Sequence, residues 1–132
     1  MLLVDASVWA ALERSEDRYH AEARAIALDF ELPVTALDLT LYEVANVAVR
    51  KFGQPARATF LTSLIRRRCA GDLVRVDSEL IDAAVEVAAE HGLTAYDAAY
   101  VAAARRNDWI LVSGDLQDLV HKGLAIAPDA AL

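Results

Sequence analysis

Four acidic residues, Asp5, Glu43, Asp97 and Asp115, sit in surroundings where acids are unusual. Within residues 2–12 only Asp5 and Ser7 are polar. An ionised carboxylate among apolar neighbours is costly unless something pairs with it; Asp5 can also serve as the cap of a following helix. Glu43 lies in LTLYEVANVAV, between Tyr42 and Val44. On a helix it shares a stripe with Leu39, Asn46, Val47 and Arg50. It either pairs with Arg50 on a solvated face or points into a site with Asn46 behind it. Asp97 opens DAAYVAAA, with Tyr100, Val101 and Ala104 on its helical face and no cation following until Arg105. Its competing role is a carboxylate at a helix N-terminus, favoured by the dipole. Asp115 follows LVSG, which describes a strand, a turn and then an acid. An ordinary turn aspartate fits there too, and Asp118 is near enough to share its work.

Four like charges brought together repel strongly at low dielectric. Such a cluster persists only if it is protonated or neutralised by cations. Hard oxygen ligands favour Mg2+ or Mn2+ over zinc. One or two such ions activate water and stabilise charge on a leaving oxygen. On this reading Asp5 and Asp97 are the central ligands, and Glu43 and Asp115 complete the set directly or through water. Ser7, Asn46 and Ser113 are candidates to hold the acids in place. The chemistry needs no histidine base, and His20, His91 and His121 are scattered. All three read as structural or surface residues.

The elements that must position these acids alternate between short apolar runs and helical segments. Residues 2–5, 32–35, 73–76, 109–113 and 124–127 read as strands. Helices are expected over 7–14, 19–30, 39–52, from Pro55 to about Cys69, over 79–91 and from about Thr94 to Arg106, with a helical turn at 116–121. Asp38 and Ser78 are expected N-caps, and Gly53, Gly71 and Gly92 expected stops. Strand–helix alternation implies a parallel sheet with helices on both faces, and function gathers at the carboxyl ends of its strands. Asp5 and Asp115 fall there.

At the level of whole segments, VDASV at 4–8, LYEVANV at 41–47, LTAYDAAYVAAA at 93–104 and LVSGD at 111–115 resemble the PIN domain. More narrowly, they are similar to VapC-type toxins of bacterial toxin–antitoxin pairs. The likeness spans nearly the whole chain with the motifs in family order, and the third segment is the most specific. The acids of those motifs fall on Asp5, Glu43, Asp97 and Asp115. The hydroxyl residue before the last acid is commonly threonine in the family; here it is Ser113, a mild departure. The resemblance implies one α/β domain over residues 1–132, a three-layer α/β/α sandwich around a mostly parallel sheet. It further implies a Mg2+-dependent endoribonuclease that cuts structured cellular RNA, a homodimer, and a cognate antitoxin that plugs the active site.

Composition bounds these expectations. Apolar residues make up 56% of the 132, which suits a packed core, an apolar interface or both. Leu39, Tyr42, Phe52, Phe60 and Ile65 are the side chains expected at a dimer interface or an antitoxin groove. The single cysteine, Cys69, excludes an internal disulfide and suits a reducing, cytoplasmic setting. No run of about 18 apolar residues exists, so no membrane span is expected. The net charge of −7 opposes gripping RNA by bulk positive charge, although metal binding by four acids would account for more than half of it. Arg66–Arg68, then Arg50 with Lys51, then Arg105 with Arg106, are the candidate phosphate contacts. A phospho-receiver domain is a rival fold, but it wants a second acid beside the first-strand site, where Ala6 and Ser7 follow Asp5. It also wants a lysine near the last strand, where Lys122 instead precedes Gly123. An aspartyl-phosphate phosphatase wants an acid at the Ser7 position. A PIN fold kept only for binding is the remaining alternative, opposed by the presence of all four acids.

Overall fold

The computed structural model describes residues 1–70 and 73–132. Three parallel strands make the sheet, in the order β2-β1-β3: β1 Leu2–Val4, β2 Val34–Thr35 and β3 Ile110–Val112. Among the described residues six α-helices surround it: α1 Ala6–Ala10, α2 His20–Leu28, α3 Asp38–Asn46, α4 Pro55–Arg68, α5 Ser78–His91 and α6 Ala95–Asn107. Side chains alternate across a strand, and that alternation divides the core in two. Val4, Val34 and Val112 face a cluster built with α1, α2, α3 and α4, including Trp9, Ile26, Val44 and Leu61. Leu3 and Leu111 face the other way, onto Leu80, Ala84, Val101 and Leu119 with α5 and α6. The result is the α/β/α sandwich expected from the sequence. Helix α6 is buried from Ala98 to Ala104, where its alanines allow α5 and the sheet to approach closely.

Local chemistry sets the helix ends. Pro55 occupies the first position of α4. Gly92 adopts φ +64° and ends α5. Thr94 caps α6, its Oγ1 accepting from the Asp97 N–H at 3.1 Å. Two expected caps belong to neighbours. Leu37 stands at the cap position of α3, and its N–H donates to Thr40 Oγ1 at 3.2 Å. The Asp38 carboxylate is used instead to accept the Val76 N–H at 3.2 Å, joining α3 to the segment before α5. Asp77 rather than Ser78 caps α5, accepting from the Leu80 N–H at 2.9 Å. Gly71 lies outside the described residues.

Several elements are shorter or differently wound than expected. The first helix passes into a 3-10 turn at Ala11–Glu13. The helix expected over 39–52 widens after Asn46 into a π turn, Val47–Lys51, and the Phe52 N–H reaches back to the Val47 carbonyl. The runs at 73–76 and 124–127 each make one parallel bridge rather than a strand, Leu37 with Val74 and Val112 with Ile126. The first is cut short because the Val76 N–H goes to Asp38; the second runs into Pro128, which has no N–H to donate. Ile65, expected at an interface, is fully buried in the first core cluster. Among the described residues no helix is long and apolar enough to cross a membrane.

Candidate active site

The carboxyl ends of the strands open into a cavity of about 700 Å3. Asp5, Glu43, Asp97 and Asp115 all line it. Asp5 leaves the end of β1 and is only 5% exposed. Its Oδ1 accepts from the Ser7 hydroxyl at 2.5 Å, the Ser7 N–H at 3.0 Å and the Val8 N–H at 3.4 Å. Asp5 is therefore both the cap of α1 and a wall of the cavity. Burial pushes its carboxyl up to about 6, against the pull of its bonds to Ser113, Ser7 and Val8.

Ser7 carries a second duty. Its Oγ accepts from the Gly114 N–H at 2.8 Å, tying α1 to the turn after β3. A Cβ at position 114 would stand 3.2 Å from that oxygen, a tight contact that glycine avoids. Ser113 is fully buried, and its hydroxyl oxygen accepts from the Asp115 N–H at 3.0 Å. One side chain, Ser113, thus touches both Asp5 and the loop that presents Asp115. Asp115 in turn caps a short π turn, Leu116–Val120, accepting from the Asp118 N–H at 3.0 Å.

Glu43 projects from α3 into the cavity, and Asn46, one turn on, lines it too. Tyr100 on α6 crosses to meet it, its hydroxyl donating to Glu43 Oε1 at 2.8 Å. With that proton committed, Thr40 Oγ1 donates to the Tyr100 oxygen at 2.7 Å while accepting from the Leu37 N–H. The chain of bonds aims every proton toward Glu43. Tyr100 was legible in the sequence only as a helical neighbour of Asp97 at i+3. Burial raises the Glu43 carboxyl, helped by the charges of Asp5 and Asp97 and opposed by the Tyr100 bond. Asp97, on the first turn of α6, is raised by burial, then by the charges of Asp115 and Asp118, against its bond with Thr94. Glu43 and Asp97 therefore feel the charge of other acids across the cavity.

None of the four is in an ion pair among the described residues. Nor do any three of the described metal-binding side chains form a ready cage. Uncompensated acids held apart in an open cleft suit a small hard cation that keeps part of its water shell. A zinc-type site would need soft or imidazole donors, and none of the histidines lines the cavity. His20 Nδ1 is engaged with the Ala11 carbonyl at 2.9 Å, and His91 lies beside Arg105 and Glu90.

The basic candidates divide. Lys51 and Arg14 line the cavity; Arg14 also rests over the Phe52 ring at 5.5 Å and pairs with Glu16. Arg14 was not singled out in the sequence, because it stands alone rather than in a run. Arg68, part of the densest run, is 6% exposed and donates to the carbonyls of Ile26, Asp29 and Leu32. It is a structural clamp between α4 and the end of α2 and is not free for phosphate. Arg106 pairs with Asp77 at 3.5 Å, away from the cavity lining.

The family model for the PIN domain matches residues 2–121. The chain belongs to the PIN domain family. A curated relative, Ribonuclease VapC3 of Pyrobaculum aerophilum, is 36% identical over 120 residues, covering 88% of this chain and 90% of the relative. Among solved structures, VapC20 of Mycobacterium tuberculosis, described as a sarcin-ricin loop cleaving toxin, superposes with a TM-score of 0.70 at 25% identity. That likeness covers 87% of this chain and 92% of the other. A toxin–antitoxin complex from Klebsiella pneumoniae gives a TM-score of 0.69 at 22% identity, covering 97% and 98%, and speaks for the fold alone. In this PIN domain the four acids named from the sequence line one cavity.

Proposed function

We propose that this PIN domain, spanning residues 1–132 as one unit, is a metal-dependent endoribonuclease and the toxin half of a toxin–antitoxin pair. The observation that carries the reading is the convergence on one cavity of four carboxylates that form no ion pair among the described residues, three of them raised by burial and two of those also by the charge of other acids. The 36% identity to a ribonuclease over most of both chains supports the reaction class. Asp5, Glu43, Asp97 and Asp115 would hold Mg2+ or Mn2+. When bound there, such an ion supplies an activated water and stabilises charge on the phosphate and the leaving oxygen.

The chain's own residues supply the positioning. Ser7 and the Val8 N–H fix the rotamer of Asp5, Tyr100 fixes Glu43, and Ser113 steadies both Asp5 and the Asp115 loop. Asn46 lines the cavity one helical turn beyond Glu43, within reach of water or phosphate there. Arg14 and Lys51 offset phosphate charge at the rim.

A homodimer and an antitoxin segment are the proposed protein partners. Exposed apolar side chains such as Phe60, Ile81, Val85 and Ile110 support them. The cytoplasm is the proposed setting; Cys69 is buried, and burial pushes its thiol up to about 11, so it is inert there.

The direct test is cleavage of RNA by the purified, partner-free protein. Cleavage should require Mg2+ or Mn2+, stop in a chelator, and be lost in Asp97→Asn. Cleavage that survives exhaustive chelation would overturn the metal reading. RNA left intact by the wild type under every metal condition would overturn the ribonuclease itself.

A further inference from the structure

Two of the most exposed large apolar side chains among the described residues stand at the carboxylate cavity. Tyr42 is 78% exposed and Tyr96 is 61% exposed, and both line it. Each immediately precedes an acid of the site, Tyr42 before Glu43 on α3 and Tyr96 before Asp97 on α6. Neither phenol makes a hydrogen bond to another described residue, whereas Trp9 and Tyr100 are buried and bonded. The rings therefore contribute little to the fold, and they flank the place where a scissile phosphate must sit.

The charge of the cavity decides what they can hold. Its lining includes two basic side chains, Arg14 and Lys51, against the four acids of the site and Asp17. A polyanion gains little from such a balance, so the grip must come largely from uncharged contacts. A base offers an aromatic face whatever its identity, and stacking on a tyrosine needs no charge. Bases in a duplex are already stacked and paired; only an unpaired nucleotide can turn its face to a protein ring at low cost.

We propose that Tyr42 and Tyr96 form the two lips of a stacking clamp that takes unpaired RNA bases on either side of the phosphate held over the acids. The clamp rests on the ribonuclease reading above. It selects loops and single strands over paired helices without reading a particular base.

The test is steady-state cleavage of a labelled hairpin oligoribonucleotide that the wild type cuts in its loop, alongside the same strand annealed to its full complement. Tyr42→Ala and Tyr96→Ala should each raise KM on the order of tenfold, the effect of losing one stacked base, with kcat falling less than threefold. Tyr42→Phe and Tyr96→Phe keep the ring and should stay within about twofold of wild type in KM, on the same stacking argument. The fully paired strand should resist cleavage. Thermal melts of all four variants should match the wild type, because the rings are exposed.

Alanine variants with a wild-type KM would overturn the clamp while leaving the ribonuclease standing, as would phenylalanine variants as impaired as alanine ones. Cleavage of the duplex as efficient as that of the hairpin would do the same. So would alanine variants that lose binding of the antitoxin but keep their KM, which would assign the lips to the protein partner. A wild type that cuts no RNA at all would instead remove the underlying activity.

Discussion

Replacing Asp5 by asparagine in the metal-free protein should stabilise it at neutral pH. Asp5 is buried with its carboxyl raised from 3.8 to about 6. The folded state therefore holds that proton more tightly than the unfolded chain does. Between those two values folding takes up a proton, so the contribution of Asp5 to stability is greatest below about pH 4, declines as pH rises toward 6 and is level above it. Roughly two pH units correspond to about 3 kcal/mol, the most that an ionised Asp5 takes from the fold at pH 7.5. Asparagine keeps the acceptor for the Ser7 hydroxyl and the Ser7 and Val8 N–H groups, and it caps a helix as well as aspartate does. Its amide can donate to Ser113, whose oxygen keeps its bond from Asp115. Asp5→Asn in chelator should thus gain up to about 3 kcal/mol at pH 7.5, a rise of up to roughly 10 °C in Tm, and the two proteins should converge near pH 4. Urea denaturation at a series of pH values reads the difference directly. An Asp5→Asn protein less stable than wild type at pH 7.5, or a gap that does not close on acidification, would refute the reasoning.

Other expectations follow from the same geometry. Arg68→Ala removes a buried guanidinium from three carbonyls, and should cost about 3 kcal/mol or more in denaturant melts while leaving Mn2+ binding unchanged; a loss under about 0.5 kcal/mol would deny the clamp. Tyr100→Phe keeps the ring but removes the donor to Glu43; Mn2+ affinity should fall about 10- to 100-fold, read by calorimetry, with the fold retained. Unchanged affinity would leave the Tyr100 bond without a role at the site. Light scattering at tens of micromolar, on the order of ordinary interface affinities, should give the mass of a dimer; a clean monomer would contradict the proposed interface.

How far the sequence could be read depended on whether a residue's role was local. Asp5 and Asp115 were legible because a strand end followed by an acid is visible in a few residues. Asp97 stood out against a run of alanines, and Thr94, Pro55 and Gly92 act within one helical turn. What escaped was decided by distant partners. Asp38 has the composition of a cap, yet its carboxylate is claimed by the Val76 N–H, 38 positions away. Arg68 looks like part of a basic surface run, but three carbonyls near the end of α2 draw it inside. Tyr100 reaches Glu43 across 57 positions, a contact that periodicity on α6 alone cannot reveal. Ile65 was legible as apolar, but whether it meets the core or a partner depends on how α4 is rotated. The runs at 73–76 and 124–127 had strand composition, and single side-chain or proline events limited each to one bridge.

The central claim is that the four carboxylates act as one metal site. Calorimetric titration of Mn2+ into the metal-free wild type and into Asp5→Asn, Glu43→Gln, Asp97→Asn and Asp115→Asn tests it most directly. The wild type should bind Mn2+, and every variant should lose at least tenfold in affinity, about 1.4 kcal/mol. A wild type that takes up no Mn2+, or variants that bind it as the wild type does, would contradict it.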